Sequence, residues 1–432
     1  MQIIRNPERK DWTVLLQRPY VDNRSVVESV QQILNAVKEH GDEAVKSFTK
    51  KFDGVDVEQF EVTEKEFADA KGKLSVQLEA AIRQAQLNIE NFHSSQFTSV
   101  EIIETMPGVQ CWRKSVGIEK VGLYIPGGTA PLFSTVLMLG IPAKLAGCRE
   151  IILCTPANAQ GHVHPAILYS AQLIGIDKVY RLGGAQAIAA MAYGTATIEP
   201  VYKIFGPGNQ YVTAAKQLVQ MQGVSIDMPA GPSEVCVMAD ESANPSFIAA
   251  DLLSQAEHGV DSQVLLVSNS EDVVERAIQE LAKQLQALPR KDIAEKALSN
   301  SKAIVTKDME EAVDLVNEYA CEHLIINCGN ADAIAEKIIS AGSVFIGNYS
   351  PESVGDYASG TNHTLPTNGF AKAFSGVSID SFVKKITYQK LSQPGLNLIA
   401  DTVIAMAEAE GLDAHANAVK IRVKSSSSSN EK

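Results

Sequence analysis

Ile118-Glu-Lys-Val-Gly-Leu-Tyr124-Ile-Pro126-Gly127-Gly128 is the stretch on which the reading of this chain turns. An apolar run ends in Pro-Gly-Gly, and Leu132, Val136, Leu137 and Leu139 then recur at helical spacing, which is the pattern of a strand, a glycine turn and a helix. The pattern repeats downstream. Strands are predicted at 150–154, 178–182 and 201–205, and helices over 164–174, after Gly183-Gly184-Ala185-Gln186, and after Gly206-Pro207-Gly208-Asn209. Strands alternating with helices of this length imply a parallel sheet covered on both faces.

A second series of the same kind follows, with strands near 233–238, 263–268, 302–305, 324–327 and 343–346 and helices near 244–257, 271–286, 308–319 and 331–340. Upstream, 25–52 and 64–92 are helical, with Val26, Val30, Ile33, Leu34 and Val37 on one face and Gly41 and Gly54 as punctuation. Residues 101–105 and 109–116 shift towards a period of two around Met106-Pro107-Gly108, a hairpin. Beyond Gly360 the chain is loop-rich. Two helical stretches are predicted at 380–391 and 395–408, Gly411 stops the second, and the Ser-rich end, 425–432, reads as disordered.

The expected fold is therefore α/β: two nucleotide-fold-like parallel-sheet domains without a strict G-x-G-x-x-G, plus small helical terminal segments. The expected division is an N-terminal extension over 1–24, a discontinuous first α/β domain over 25–120 and 235–375, a second α/β domain over 121–234, and a C-terminal helical segment over 376–432.

Composition narrows the partners. With 432 residues, 45% hydrophobic and 21% charged, the chain has the make-up of a soluble multidomain protein. A net charge of -13 argues against nucleic acid and acidic membrane surfaces. The first eleven residues lack the apolar core of a signal peptide, and no apolar run approaches the roughly 20 residues that span a bilayer, so a cytoplasmic protein is expected. Six scattered cysteines give neither CxxC spacing nor a disulfide framework.

Three glycine turns, at 126–128, 183–184 and 206–209, can each present backbone N–H groups to phosphate at a helix start. Any one alone reads as a plain turn; three at corresponding strand ends make a nucleotide crevice. Gln255 and His258, in Asp251-Leu-Leu-Ser-Gln-Ala-Glu-His-Gly259, are predicted to share one face of a helix. With Asp356 and His415 they offer two nitrogens and two oxygens, a set suited to Zn²⁺, although spacing alone does not select this quartet. Glu322-His323 at a strand start forms an acid/base pair, and Glu322 works against a nucleophilic role for Cys321. His40, His93, His162 and His164 read as surface or capping residues.

Together Tyr124-Ile-Pro-Gly-Gly, Gly183-Gly-Ala-Gln186, Gly206-Pro-Gly-Asn209, Ala230-Gly-Pro-Ser233-Glu, Gln255-Ala-Glu-His258, Glu322-His323-Leu, Gly355-Asp356-Tyr-Ala-Ser-Gly-Thr-Asn-His363 and Glu410-Gly-Leu-x-x-His415 resemble the histidinol dehydrogenase family, in order from about 24 to 423. One departure is that Cys321 stands where the family pattern has Pro, which speaks against an essential thiol.

The resemblance implies NAD-dependent oxidation of L-histidinol to L-histidine through the aldehyde, with two NAD reduced, as the last step of histidine biosynthesis. It implies one Zn²⁺ per subunit on Gln255, His258, Asp356 and His415, substrate contacts at these four and at Ser233, His323, His363 and Glu410, and NAD contacts at Tyr124, Gln186 and Asn209. It places zinc and the acid/base residues in the first α/β domain and the NAD turns in the second. It further implies a homodimer in which Glu410 and His415 reach into the partner's site. On this reading His323 is the general base, Glu322 activates water and zinc positions the substrate. Two alternatives stay open on the residues alone: a zinc hydrolase acting on a small amide, which leaves the glycine turns without a ligand, and a non-catalytic metal- or amino-acid-binding module, which leaves Glu322-His323 unexplained.

Overall fold

The apolar runs of the sequence become strands buried on both faces: every residue of Glu234–Ala239, Gln263–Ser268 and His323–Asn327 is buried, as parallel sheets with helices on each side require. The computed structural model describes residues 1–18, 24–127, 131–229 and 231–427. The chain forms two compact units, Met1–Gln96 with Ile118–Phe382, and Phe97–Gly117 with Val383–Lys432. Gly128 and Ala230, both in expected motifs, lie outside the described residues, as does the tail beyond 427.

The first unit holds two wholly parallel sheets. The six-stranded one runs Gln2–Arg5, Lys302–Val305, Gln263–Ser268, Glu234–Ala239, His323–Asn327, Ser343–Ile346. The five-stranded one runs Lys178–Arg181, Glu150–Thr155, Lys120–Tyr124, Lys203–Phe205, Ser225–Ile226. Helix Arg24–His40 buries Val26, Val30, Ile33, Leu34 and Val37, the face its spacing marks. That face shares a core with Ala185, Ala187, Ala189 and Ala190 of helix Gly184–Tyr193. The small alanine side chains let the two backbones approach closely. No described helix is long and apolar enough to cross a membrane.

The second unit contains an antiparallel sheet ordered Val383–Leu391, Val109–Gly117, Ile102–Met106, and helices Gln393–Ala409 and Asp413–Ser427. The expected hairpin forms, and Gly108 takes φ +77° at its turn.

Several expectations are corrected. Residues 380–391 do not form one helix: the short helix Ile379–Phe382 stops at once, Val383–Leu391 pairs residue for residue with Val109–Gly117, and Trp112 stacks on its register partner Tyr388 with ring centroids 5.3 Å apart. Val383, Ile386 and Leu391 do not alternate, which imitates helical recurrence, yet Val, Ile, Thr and Tyr favour a pleated surface. The N-terminal extension contributes Gln2–Arg5 as an edge strand. Residues 102–117 group with 383–391 in the second unit rather than with 25–96. The helix after Asn330 spans only Ala331–Ala335. The disorder expected from 425 is contradicted over 425–427, whose backbone belongs to helix Asp413–Ser427. His93 is a buried residue, with Nδ1 donating to the Ile89 carbonyl at 2.8 Å and Nε2 3.4 Å from Nδ2 of Asn362.

Candidate active site

Helix Met309–Tyr319 ends at Ala320, which adopts a left-handed φ of +53° and turns the chain back towards the sheet. Cys321 and Glu322 follow, and His323 opens the strand that lies between Glu234–Ala239 and Ser343–Ile346. Glu322 and His323 thus sit buried at the amino end of a central strand. One neighbouring residue orients both. The Glu234 N–H donates to Oε2 of Glu322 at 2.9 Å, and the Glu234 carbonyl lies 3.2 Å from Nδ1 of His323. A carbonyl only accepts, so Nδ1 carries a proton, and Nε2 is the nitrogen at which the ring gains or loses its second proton. Nε2 is buried with no hydrogen-bond partner and stands 3.4 Å from Oδ1 of Asp356.

The electrostatics follow from burial and mutual charge. Burial pushes the Glu322 carboxyl up to about 7, even though His323 and the Glu234 N–H pull it down. Burial would lower His323, but Glu322 and Asp356 overcome it and raise the imidazole well above its ordinary value. A carboxyl poised near neutrality beside an imidazole can exchange protons at working pH.

Asn244 caps helix Pro245–Ala256, placing Gln255 in its last turn. The expected helical Gln255–His258 pair is corrected here: the helix stops at Ala256, Glu257 caps it, and His258 lies just past the end, its N–H donating to the Gln255 carbonyl at 3.2 Å. Asp356 comes from the short helix Glu352–Tyr357. Ligand atoms of His258, Glu352 and Asp356 all lie within 4.8 Å of one another. Oε1 of Gln255, Oε2 of Glu352 and Oδ1 of Asp356 are each buried without a hydrogen-bond partner. Buried unpaired oxygens are costly, and the set fits a divalent cation. Burial would raise Asp356, but its contact with His323 and the charges of His363 and His258 hold it below the ordinary range. Burial pushes Glu352 up to about 8.

Glu352 is the residue that sequence reasoning missed. It stands four before Asp356 on one helix, so the i, i+4 spacing of two carboxylates was the available signal.

His363 is fixed on both sides. Nδ1 donates to the Asp356 carbonyl at 2.8 Å and Nε2 accepts from the Thr135 hydroxyl at 3.0 Å, while burial lowers its pKa, so the ring is neutral. Ser233 precedes Glu234 at the same sheet end, half-buried. Glu410 caps helix Gln393–Ala409 and His415 lies on Asp413–Ser427, both exposed on the second unit.

At the carboxyl end of the five-stranded sheet is a cavity of about 980 Å³, a size that suits a cofactor. Gly127, Gly183, Gly184 and Asn209, drawn from the three glycine turns, line it together with Tyr124 and Gln186. Gly206, at φ +127°, passes so close to the Tyr124 carbonyl that any Cβ would collide with it. The Tyr124 hydroxyl accepts from the Gly184 N–H at 3.1 Å, and burial pushes it up to about 12. Asn209 caps helix Gln210–Gln220 through Oδ1, and Nε2 of the buried Gln186 is unpartnered. His162 and His164 are exposed, as expected, but they also line this cavity, and His164 caps helix Pro165–Leu173.

A family model described as histidinol dehydrogenase matches residues 16–423. Histidinol dehydrogenase from Bacteroides thetaiotaomicron is 58% identical over 98% of this chain and 99% of its own length. That from Xylella fastidiosa is 52% identical over 92% of each. The crystal structure of histidinol dehydrogenase from Elizabethkingia anophelis superposes with a TM-score of 0.96 at 54% identity, covering 98% of both chains. With its two parallel sheets and its buried Glu-His pair, the chain belongs to the histidinol dehydrogenase family, oxidoreductases that oxidise histidinol in histidine biosynthesis.

Proposed function

We propose that this chain takes L-histidinol through the aldehyde to L-histidine in two successive oxidations that each reduce one NAD, with Glu322 and His323 handling the protons. The observation that carries the reading is His323. Its Nδ1–H is committed to the Glu234 carbonyl, and Nε2, the nitrogen left to exchange a proton, faces Asp356 inside a buried acidic pocket.

One Zn²⁺ would be held by Gln255, His258, Asp356 and His415, a reading supported by the unpartnered oxygens of Gln255 and Asp356. Bound there it supplies a template that fixes the carbinol carbon towards the nicotinamide, and NAD, seated by Tyr124, Gln186 and Asn209, supplies the hydride acceptor.

In the first oxidation His323 takes the hydroxyl proton at Nε2, and the charges of Glu322 and Asp356 favour the imidazolium that results. Glu322, with its carboxyl near neutrality, removes a proton from the water that adds to the aldehyde, while His323 returns its proton to the former carbonyl oxygen and becomes neutral again. His323 then accepts a proton from the hydrated aldehyde as the second hydride leaves. Ser233, His363 and Glu410 hold polar groups of the substrate. Glu410 and His415 serve the site of the other subunit in a cytoplasmic homodimer.

The test is metal removal. Chelator-stripped protein mixed with histidinol and NAD should produce no NADH, and stoichiometric Zn²⁺ should restore it. Full rates from protein verified to be metal-free would overturn the zinc assignment.

A further inference from the structure

Arg18 lies outside every motif assigned above, 216 residues from Glu234 in sequence, yet the two form a fork. Its Nε donates to Oε1 of Glu234 at 2.7 Å and its second guanidinium nitrogen to Oε2 at 2.9 Å. The same nitrogen donates to the Tyr319 carbonyl at 2.8 Å, and the guanidinium lies 4.0 Å from the centroid of the Tyr319 ring. The Glu234 side chain is 2% exposed and that of Arg18 18%. The Asn368 N–H also donates to Oε1 of Glu234, at 3.1 Å.

The side chain of Glu234 is thus clamped, and its main chain carries both contacts that orient the acid/base pair. Its N–H binds Glu322 and its carbonyl receives Nδ1–H of His323. Arg18 also holds the last carbonyls of the helix that leads into Glu322, where a cation is favoured by the helix dipole. Both chain segments that set the geometry of the pair are therefore tied to one guanidinium. A planar bidentate fork stacked on an aromatic ring is a role that lysine cannot reproduce.

We propose that Arg18 is a positioning residue for proton transfer: by clamping Glu234 and the Tyr319 carbonyl it fixes the peptide groups that aim Glu322 and His323. The inference rests on the acid/base reading of these two residues. It also accounts for a buried ion pair that touches neither the cavity nor the candidate metal ligands.

The experiment compares Arg18→Met, Arg18→Lys, the double variant R18M/E234Q, and His323→Asn, each as full-length, zinc-loaded protein. The double variant removes the fork without leaving a lone buried carboxylate, which keeps the test open if Arg18→Met alone does not fold. In R18M/E234Q, kcat should fall about 10- to 100-fold, the scale of a small misplacement, with KM for histidinol and zinc content close to wild type. Arg18→Lys, which keeps the charge but loses the fork, should lie between it and wild type. A kcat near wild type in folded R18M/E234Q or in Arg18→Lys, or a KM that rises in proportion to the loss of kcat, would overturn the inference. If His323→Asn is fully active, the acid/base reading itself has failed. If His323→Asn is inactive while R18M/E234Q runs at full rate, only the role of Arg18 has failed.

Discussion

Nε2 of His323 and Oδ1 of Asp356 face each other at 3.4 Å, buried, and neither has a hydrogen-bond partner. One is the proton-exchanging nitrogen of a ring whose other nitrogen is committed, and the other belongs to a carboxylate of the candidate metal cluster. The base and the metal-binding group therefore lie in contact, so that a substrate held by the metal ligands would have its reacting end beside the base.

From this geometry, His323→Asn should lose both oxidations by about 10²- to 10⁴-fold, the usual contribution of a general base. Glu322→Gln should mainly slow oxidation of the aldehyde. Supplying histidinol and the aldehyde separately reads the two steps. Equal losses of both in Glu322→Gln would undo the division of roles.

Cys321 is fully buried, and burial together with the neighbouring Cys236 raises its thiol well above the ordinary value. It is therefore not a thiolate near neutrality. Cys321→Ala should keep kcat within about threefold and lose about 1 kcal/mol of stability for a small buried side chain. A folded, zinc-loaded Cys321→Ala with no activity would restore a covalent mechanism.

Glu352 places an unpartnered, buried Oε2 within 4.8 Å of the ligand atoms of His258 and Asp356. Glu352→Gln should weaken Zn²⁺ retention about 10- to 100-fold, as loss of a supporting carboxylate does. Competition with a chromogenic chelator measures this without turnover. Unchanged affinity would remove Glu352 from the metal site.

Much of this was legible in the sequence, and the failures have physical causes. The long buried strands and the glycine turns declared themselves because parallel sheets demand continuous apolar runs and because no side chain fits at Gly206. Residues 383–391 misled because their spacing imitates a helix while their partner strand, 109–117, lies far away in sequence. Glu352 and Arg18 stayed hidden for a related reason: each matters only through residues that the fold brings to it, Asp356 and His258 for one and Glu234 for the other. His258 was placed on its helix because the stop was read from Gly259, whereas the helix ends two residues before His258, at Ala256, with Glu257 as the cap.

Glu66 gives a prediction of pH-dependent stability. Burial would raise its carboxyl, but Arg181 at 2.7 Å and Thr63 outweigh it and hold it at about 2 against 4.5 unperturbed. A depressed carboxyl stabilises fully above about 4.5, and the contribution disappears as pH falls through about 2. Glu66→Gln should cost about 1–3 kcal/mol at pH 7, allowing for partial exposure, and progressively less in acid. Melting temperatures of the two proteins followed from pH 7 down to the acid limit check this, and a gap that stays constant with pH would contradict it.

The central claim is that one site performs both oxidations on a single substrate, and the yield of NADH from limiting L-histidinol in excess NAD tests it most directly. Wild-type protein should form two NADH for each histidinol consumed, with histidine as the product. A yield of one with the aldehyde accumulating, or histidinol consumed without NADH, would contradict the account.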